Sequence, residues 1–328
     1  MNDSVGTSLE QTFGKPLDTE FQLCLQSLFR THIVSATDTS LELGDQLPIP
    51  VVRNIPRFVP SDQYANSFSY QWTTFTQTQL DSAQGSNLTQ QDLIGKIGLR
   101  PADVKGKLVL DAGVGVGRHA EILASWGAFV VGVDLSDAVE SARHNLAKYP
   151  NAVVIQGDIG NLPFALETFD FVVSIGVLHH TPDTKLYTNS LIPFVKPGGR
   201  LSIWVYPPKF ARRGEWVPMA SHLPLVAFKE WCEWAVDIAR ENKNALWLEP
   251  MIKQFPFSTH HANSERSVLA LFDGFSPTFH WTHSSEEVTK WFHEAGLVDV
   301  HSNAIETSVS GLRPRLSDLL AIGDGVSV

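Results

Sequence analysis

Three glycines at alternate positions, Gly113, Gly115 and Gly117 in VLDAGVGVGRHA (109–120), follow a short apolar run. Such spacing lets a backbone come very close to a ligand and presents N–H groups to it. Three ligands are open at this point: a dinucleotide pyrophosphate, a mononucleotide phosphate, or a ligand with no phosphate. A dinucleotide loop wants G-x-G-x-x-G, whose last glycine falls here on Arg118, and a P-loop wants Gly-Lys-Ser/Thr, which does not follow. Acidic residues recur downstream. Asp134 ends the next apolar run, where a carboxylate can accept both ribose hydroxyls of an adenosine. Asp158, in QGDIGNLPF, can accept from an adenine amino group while Ile159 lies against the ring. Each of these carboxylates could instead serve a local cap or turn. His179 and His180 are candidate general bases, needed when an acceptor keeps its proton at neutral pH. On an extended backbone the two point to opposite sides, so at most one reaches an acceptor.

These residues sit at the ends of a recurring element. KLVLDAG (107–113), AFVVGVDL (128–135), AVVIQGD (152–158), FDFVVSIGV (169–177) and GRLSIWVY (199–206) are short and Val-rich, as expected of strands buried on both faces. Between them, GRHAEILASWG puts Ile122, Leu123 and Trp126 on one helical face and ends at Gly127, while SDAVESARHNLAKY opens at Ser136 as N-cap. Strands alternating with helices predict right-handed crossovers and an α/β, doubly wound, mostly parallel sheet. Ligands then bind beyond the carboxyl ends of the strands, where strand order reverses. The turn FVKPGG (194–199) leads into the fifth strand.

Taken in order, Asp111-Ala-Gly113-x-Gly115-x-Gly117, Asp134, GDI, FDFVVSIGVLHHTPD and VKPGG resemble the successive motifs of class I S-adenosylmethionine-dependent methyltransferases. The nearest subgroup is the small-molecule, type 11-like set with a GVLHH segment. The resemblance is strong over about residues 100–206 and loose over 284–313. It implies a seven-stranded Rossmann-like sheet and S-adenosyl-L-methionine as cofactor. It further implies that Asp111, Gly113, Gly115, Gly117 and Gly176 flank the methionine part, Asp134 and Leu135 the ribose, and Asp158 with Ile159 the adenine.

Upstream, Tyr64, Phe68, Gln71 and Trp72 fall on one helical face of YANSFSYQWTTF. Some relatives carry a similar IPRFV…QLDS stretch, which implies a helix covering the cofactor, with Gln71 and Trp72 in contact. The segment before it resembles a degenerate zinc ribbon that keeps only Cys24, so no metal is expected. The predicted division is an N-terminal extension, 1–82, and a methyltransferase domain, 83–328, with an inserted, mainly helical acceptor lid at about 207–283. In the lid, Trp231, Trp234, Ala235 and Ile238 predict a packed face, and Phe275, Phe279, His280 and Tyr206 are candidate acceptor contacts. Arg212 and Arg213 could recognise an anion at the mouth. His260, His261, His280 and His283 are too loosely spaced for a metal site to be the preferred reading.

Composition narrows the classes. Lys and Arg number 25 against 35 Asp and Glu, a net charge of −10, which disfavours general nucleic-acid binding. The N-terminus has no apolar leader core, and no run approaches the ~18–20 apolar residues of a membrane span. Two cysteines, Cys24 and Cys232, make no disulfide framework. The expectation is a cytoplasmic enzyme that methylates a small molecule: a lipid, quinone, polyketide or aromatic metabolite. A homodimer stays open, as do two rival readings: a nicotinamide-dependent oxidoreductase and a non-catalytic partner protein that keeps the fold.

Overall fold

The computed structural model of the protein describes residues 9–60, 63–211, 220, 222–242, 263–315 and 318. The chain opens with helix α1 (Thr19–Gln26), capped by the Asp18 carboxylate on the amides of Glu20 and Phe21. Four short antiparallel strands follow in sequence order: β1 (Ile33–Ala36), β2 (Ser40–Leu43), β3 (Ile49–Val52) and β4 (Ile55–Pro56). Helix α2 (Asn66–Thr74) carries Phe68, Gln71 and Trp72 of the anticipated face, Tyr64 lying in the turn before it, and α3 (Asp81–Gln84), α4 (Leu88–Ile97) and α5 (Pro101–Val104) lead to the main sheet.

Each Val-rich run is a strand: β5 (Leu108–Ala112), β6 (Phe129–Asp134), β7 (Ala152–Gln156), β8 (Phe169–Ile175) and β9 (Val195–Trp204). Helices α6 (Arg118–Ser125), α7 (Ala138–Asn145) and α8 (Thr184–Leu191) lie between them. The N-cap of α7 is Asp137 rather than Ser136, whose hydroxyl accepts from the Ala138 amide at 3.3 Å. Helices α9 (Leu225–Glu241), α10 (Ser264–Phe275) and α11 (Ser285–Glu294) precede the last two strands, β10 (Val298–Ser302) and β11 (Ser308–Leu312). The seven strands are ordered β10-β11-β9-β8-β5-β6-β7, with β7, β6, β5, β8 and β9 parallel and the other pairings antiparallel. From β5 the chain steps outward to β6 and β7, then returns to β8 and β9 on the other side. The order therefore reverses between β5 and β8.

Alternation along β5 sends Leu108, Leu110 and Ala112 into one apolar cluster and Val109 into another. The second face is covered by α4, α6 and α7. On the first face, the connection from β7 to β8 (157–168) contains no helix, so the sheet would be left bare there. The N-terminal segment fills that gap. Phe21 stacks on Phe129 at 5.4 Å, Phe29 lies 6.0 Å from Phe164, and the Phe58 amide bonds the Gln156 carbonyl on the edge strand at 2.8 Å.

Helix α9 is rotated relative to the predicted packing face. Phe228, Cys232, Ala235, Val236 and Ala239 are buried, while Trp234 is 58% exposed. The buried stripe of α9 meets Leu269, Phe272 and Phe275 of α10 in a cluster separate from those of the sheet. Among the described residues no helix is long and apolar enough to cross a membrane.

Candidate functional site

A cavity of about 580 Å³ opens where the strand order reverses. Five successive strand ends contribute to its wall: Gly113 and Gly115 after β5, Asp134 and Leu135 at the end of β6, Asp158 and Ile159 after β7, Gly176 after β8, and Trp204 and Tyr206 at the end of β9. Helix α2 roofs it with Phe68 and Trp72, and α10 contributes Arg266, Ala270 and Asp273 at helical spacing.

The glycine loop is built for close approach. Gly113 has φ +92°, and a Cβ there would stand 2.3 Å from Val177 Cγ2. At Gly115, φ +52°, a Cβ would point at the Trp72 indole 3.5 Å away, filling the slot between loop and roof. Trp72 is fixed over that slot because α2 is tied to α7: Ser141 Oγ donates to the Trp72 carbonyl at 2.8 Å, and the Asp137 amide donates to Ser69 Oγ at 3.0 Å.

Asp134 both supports the loop and faces the cavity. Its Oδ2 accepts from the Gly115 amide at 2.8 Å, and its Oδ1 accepts from the amide and hydroxyl of Ser136 at 2.9 and 2.6 Å. Burial pushes its carboxyl up, and those hydrogen bonds oppose the shift. Asp158 keeps its local turn through Oδ1, which accepts from Gly160 at 2.8 Å, while the residue lines the cavity beside Ile159.

Several expected contacts lie elsewhere. Asp111 does not line the cavity; it is buried in β5, facing the Ala120 amide at a geometry short of a hydrogen bond. Burial raises its carboxyl to about 7, with the Arg118 guanidinium opposing and Asp134 adding to the rise. Gly117 is outside the wall too, serving as the N-cap of α6 at φ +84°. Gln71 is fully buried and turns away from the cavity, donating through Nε2 to Asp273 Oδ1 at 2.9 Å.

The two histidines divide. His180 lines the cavity; His179 does not. His179 is wholly buried, stacks on the Tyr206 ring at 3.8 Å, and its Nδ1 accepts from the Tyr206 amide at 3.3 Å. Burial and the neighbouring imidazoles hold it well below the usual histidine range, so it is neutral. Residues 178–180 form a turn of 3₁₀-helix rather than extended backbone, and the two side chains still diverge.

Of the four candidate acceptor contacts only Tyr206 reaches the cavity. Phe275 packs with Phe228 and Phe272 inside the cluster formed by α9 and α10. Phe279 lies edge-on to Tyr64 at 5.4 Å, and its carbonyl meets His180 Nδ1 at 2.9 Å. His280 bonds the Phe210 carbonyl at 3.2 Å through Nε2. Arg212, Arg213, His260 and His261 lie outside the described residues.

The wall also holds residues that spacing did not single out: Asp92, Lys96, Arg118, Trp204, Arg266 and Asp273. Lys96 is buried, pairs with Asp92 at 2.8 Å and sits 3.6 Å over the Trp204 ring. Its burial lowers the ammonium to about 8. The i, i+4 pair Asp92/Lys96 was readable as a helical ion pair, but nothing local says that α4 presents it to a ligand.

Comparison with known proteins fits this geometry. A family model described as a methyltransferase domain matches residues 110–203. The ubiquinone biosynthesis O-methyltransferase of Coxiella burnetii is 35% identical over 100 residues, 30% of this chain and 43% of that protein, so the chain spans less than half of that relative's length. The demethylmenaquinone methyltransferase of Clavibacter sepedonicus is 29% identical over 187 residues, 54% of this chain and 76% of that one. A solved S-adenosylmethionine-dependent methyltransferase from Mesorhizobium loti is 23% identical, covering 33% of this chain and 50% of its own, with a TM-score of 0.31. With its glycine loop, strand-end carboxylates and strand order on a seven-stranded Rossmann-like sheet, the chain over residues 110–203 is similar to a methyltransferase domain.

Proposed function

We propose that the protein transfers a methyl group from S-adenosylmethionine to a small-molecule acceptor in the cytoplasm. The observation that carries this reading is the run of five strand ends on one cavity, with a glycine loop followed by carboxylates at the second and third. Asp134 would hold the ribose and Asp158 with Ile159 the adenine, while Gly113, Gly115 and Gly176 leave room for the methionine part beneath Trp72. Arg118, beside Gly176, offers a guanidinium to that end; its Nη2 is 3.9 Å from where a Gly176 Cβ would stand.

When bound, the cofactor supplies a methyl group already activated by its sulfonium, so alignment and exclusion of water are the protein's main tasks. Orientation of this kind supplies ~7–11 kcal/mol of a barrier. Trp72 and Phe68 close the roof, and Trp204, Tyr206 and Phe210 also line the cavity. Under this reading the candidate to receive an acceptor proton is His180, which lines the cavity. The aromatic wall favours an acceptor with apolar or ring character, such as a lipid, quinone, polyketide or aromatic metabolite.

Calorimetry decides between this reading and a nicotinamide-dependent oxidoreductase: S-adenosylhomocysteine is expected to bind at micromolar concentrations and a reduced nicotinamide cofactor is not. The reverse pattern would overturn the assignment. Release of S-adenosylhomocysteine on incubation with a cell extract separates an enzyme from a partner protein that only keeps the fold.

A further inference from the structure

Charges on the cavity wall are partly matched within the wall itself. Asp92 pairs with Lys96 and Glu306 with Lys209, each at 2.8 Å. Asp134 and Asp158 accept from groups at their own strand ends. Arg266 donates its Nε to the Thr78 carbonyl at 3.2 Å, about two turns of α10 before Asp273. Arg118 and Asp273 are left over. Among the described residues neither forms an ion pair, and the Arg118 guanidinium donates no hydrogen bond. Asp273 accepts only from neutral donors, Gln71 Nε2 on Oδ1 at 2.9 Å and the Tyr206 hydroxyl on Oδ2 at 2.8 Å. One bond to each oxygen leaves a carboxylate with acceptor capacity to spare.

The two leftover charges flank one stretch of wall. A Cβ on Gly176 would stand 3.4 Å from the Trp204 ring and 3.9 Å from Arg118 Nη2. The Trp204 ring lies 5.6 Å from that of Tyr206, whose hydroxyl holds Asp273. Lys96, 3.6 Å over the Trp204 ring, feels both: beyond the burial that lowers its ammonium, Arg118 disfavours its charge and Asp273 favours it. A guanidinium and a carboxylate that face one cavity without pairing suit a ligand carrying both signs on neighbouring atoms. A ligand of one sign would leave the other charge unmatched in a drying site, which is costly. An α-amino acid group has that pattern, and the cofactor ends in one.

Resting on the methyl-transfer reading, we infer that Asp273 holds the ammonium of the cofactor's amino-acid end while Arg118 holds its carboxylate. The ammonium contact then comes from α10, which lies outside the run of helices that alternate with the parallel strands. Gln71 acts as a positioning residue, through Asp273. Its chain neighbour Trp72 stands over Gly115, so α2 serves this end twice, by the indole above the loop and by the amide behind the carboxylate. A ligand that keeps the adenosine but lacks the amino-acid end forfeits both ion pairs.

Calorimetry tests this with ligands that share one adenosine thioether: S-adenosylhomocysteine, its desamino analogue, and 5′-methylthioadenosine, which lacks the amino-acid end. Arg118→Gln should weaken S-adenosylhomocysteine and the desamino analogue by about tenfold or more, and Asp273→Asn should weaken S-adenosylhomocysteine alone by that amount. Gln71→Leu should follow Asp273→Asn. All of these variants should bind 5′-methylthioadenosine as the wild type does, which also shows that they fold. Unchanged affinity for S-adenosylhomocysteine in either charge variant would overturn the inference and give the pair to an amino-acid group on the acceptor. Equal losses for all the ligands would overturn it too, because Arg118 and Asp273 would then act through the cavity's shape. If neither S-adenosylhomocysteine nor 5′-methylthioadenosine binds the wild type, the methyl-transfer reading falls instead, so the two failures are distinguishable.

Discussion

Asp134 carries two loads with one carboxylate. It fixes Gly115 and Ser136 through three hydrogen bonds while presenting the rest of its lone pairs to the cavity. On the proposed ribose contact, Asp134→Ala would remove a ligand contact and loosen the loop together. Hydrogen bonds to a charged group contribute about 1.5–3 kcal/mol each, so affinity for S-adenosylhomocysteine should fall roughly 10- to 100-fold. Calorimetry reads this directly, and an unchanged dissociation constant would remove Asp134 from the ribose site. His180→Ala tests a different step. General-base assistance is worth about 10²–10⁴ in rate, so turnover should drop by that order while S-adenosylhomocysteine still binds as in the wild type. A variant that keeps full turnover would release His180 from proton transfer.

At the scale of elements, the sheet was legible because buried parallel strands write themselves as short Val-rich runs, and all five were readable that way. The loop glycines were legible for a similar reason: positive φ and missing Cβ space are local demands. Gly113 states that demand most sharply, with φ +92° and a Cβ clash against Val177. Gly113→Ala should cost about 2 kcal/mol or more in denaturant unfolding, combining backbone strain and overpacking. Addition of Val177→Ala should recover the steric part only; full recovery would mean that the φ angle is not strained. What the sequence did not disclose depends on contacts between distant segments. Gln71 and Asp273 meet across 202 residues, and Gln71 stays out of the cavity wall that Asp273 joins. Helix α9 is similar, since its aromatic spacing suited a Trp234-centred face, yet packing on α10 buries the stripe through Cys232 and Val236 instead. Phe272→Ala, at the centre of that cluster, should cost about 3–5 kcal/mol, whereas Trp234→Ala should stay within about 0.5 kcal/mol. Similar losses at both positions would argue that Trp234 is covered in solution.

For the whole molecule, three buried titratable groups set opposing limits on stability. His119 and His179 are held well below the usual histidine range by burial, so the unfolded chain binds more protons than the folded one below about 6.5. Their contribution is full above that pH and is lost as pH falls toward their folded values. Asp111 acts in the other direction. Its carboxyl is raised from 3.8 to about 7, so between those values the folded chain holds a proton that the unfolded chain has lost. Stability from this group is full below 3.8 and is lost as pH rises through about 7. The carboxylate sits under the glycine loop beside Arg118, where desolvation outweighs that cation's attraction. Asp111→Asn keeps the shape and removes the titration. The stability of this variant relative to wild type, from urea unfolding of the ligand-free protein, should therefore rise as pH increases from about 4 to 7. Above that it should level off, with a total gain of a few kcal/mol, because each tenfold difference in proton affinity between the folded and unfolded chains is worth ~1.4 kcal/mol. The histidines do not enter the comparison, because both proteins carry them. A difference that stays flat across that window would show that Asp111 titrates alike in both states, and its burial beneath the loop would then carry no electrostatic cost.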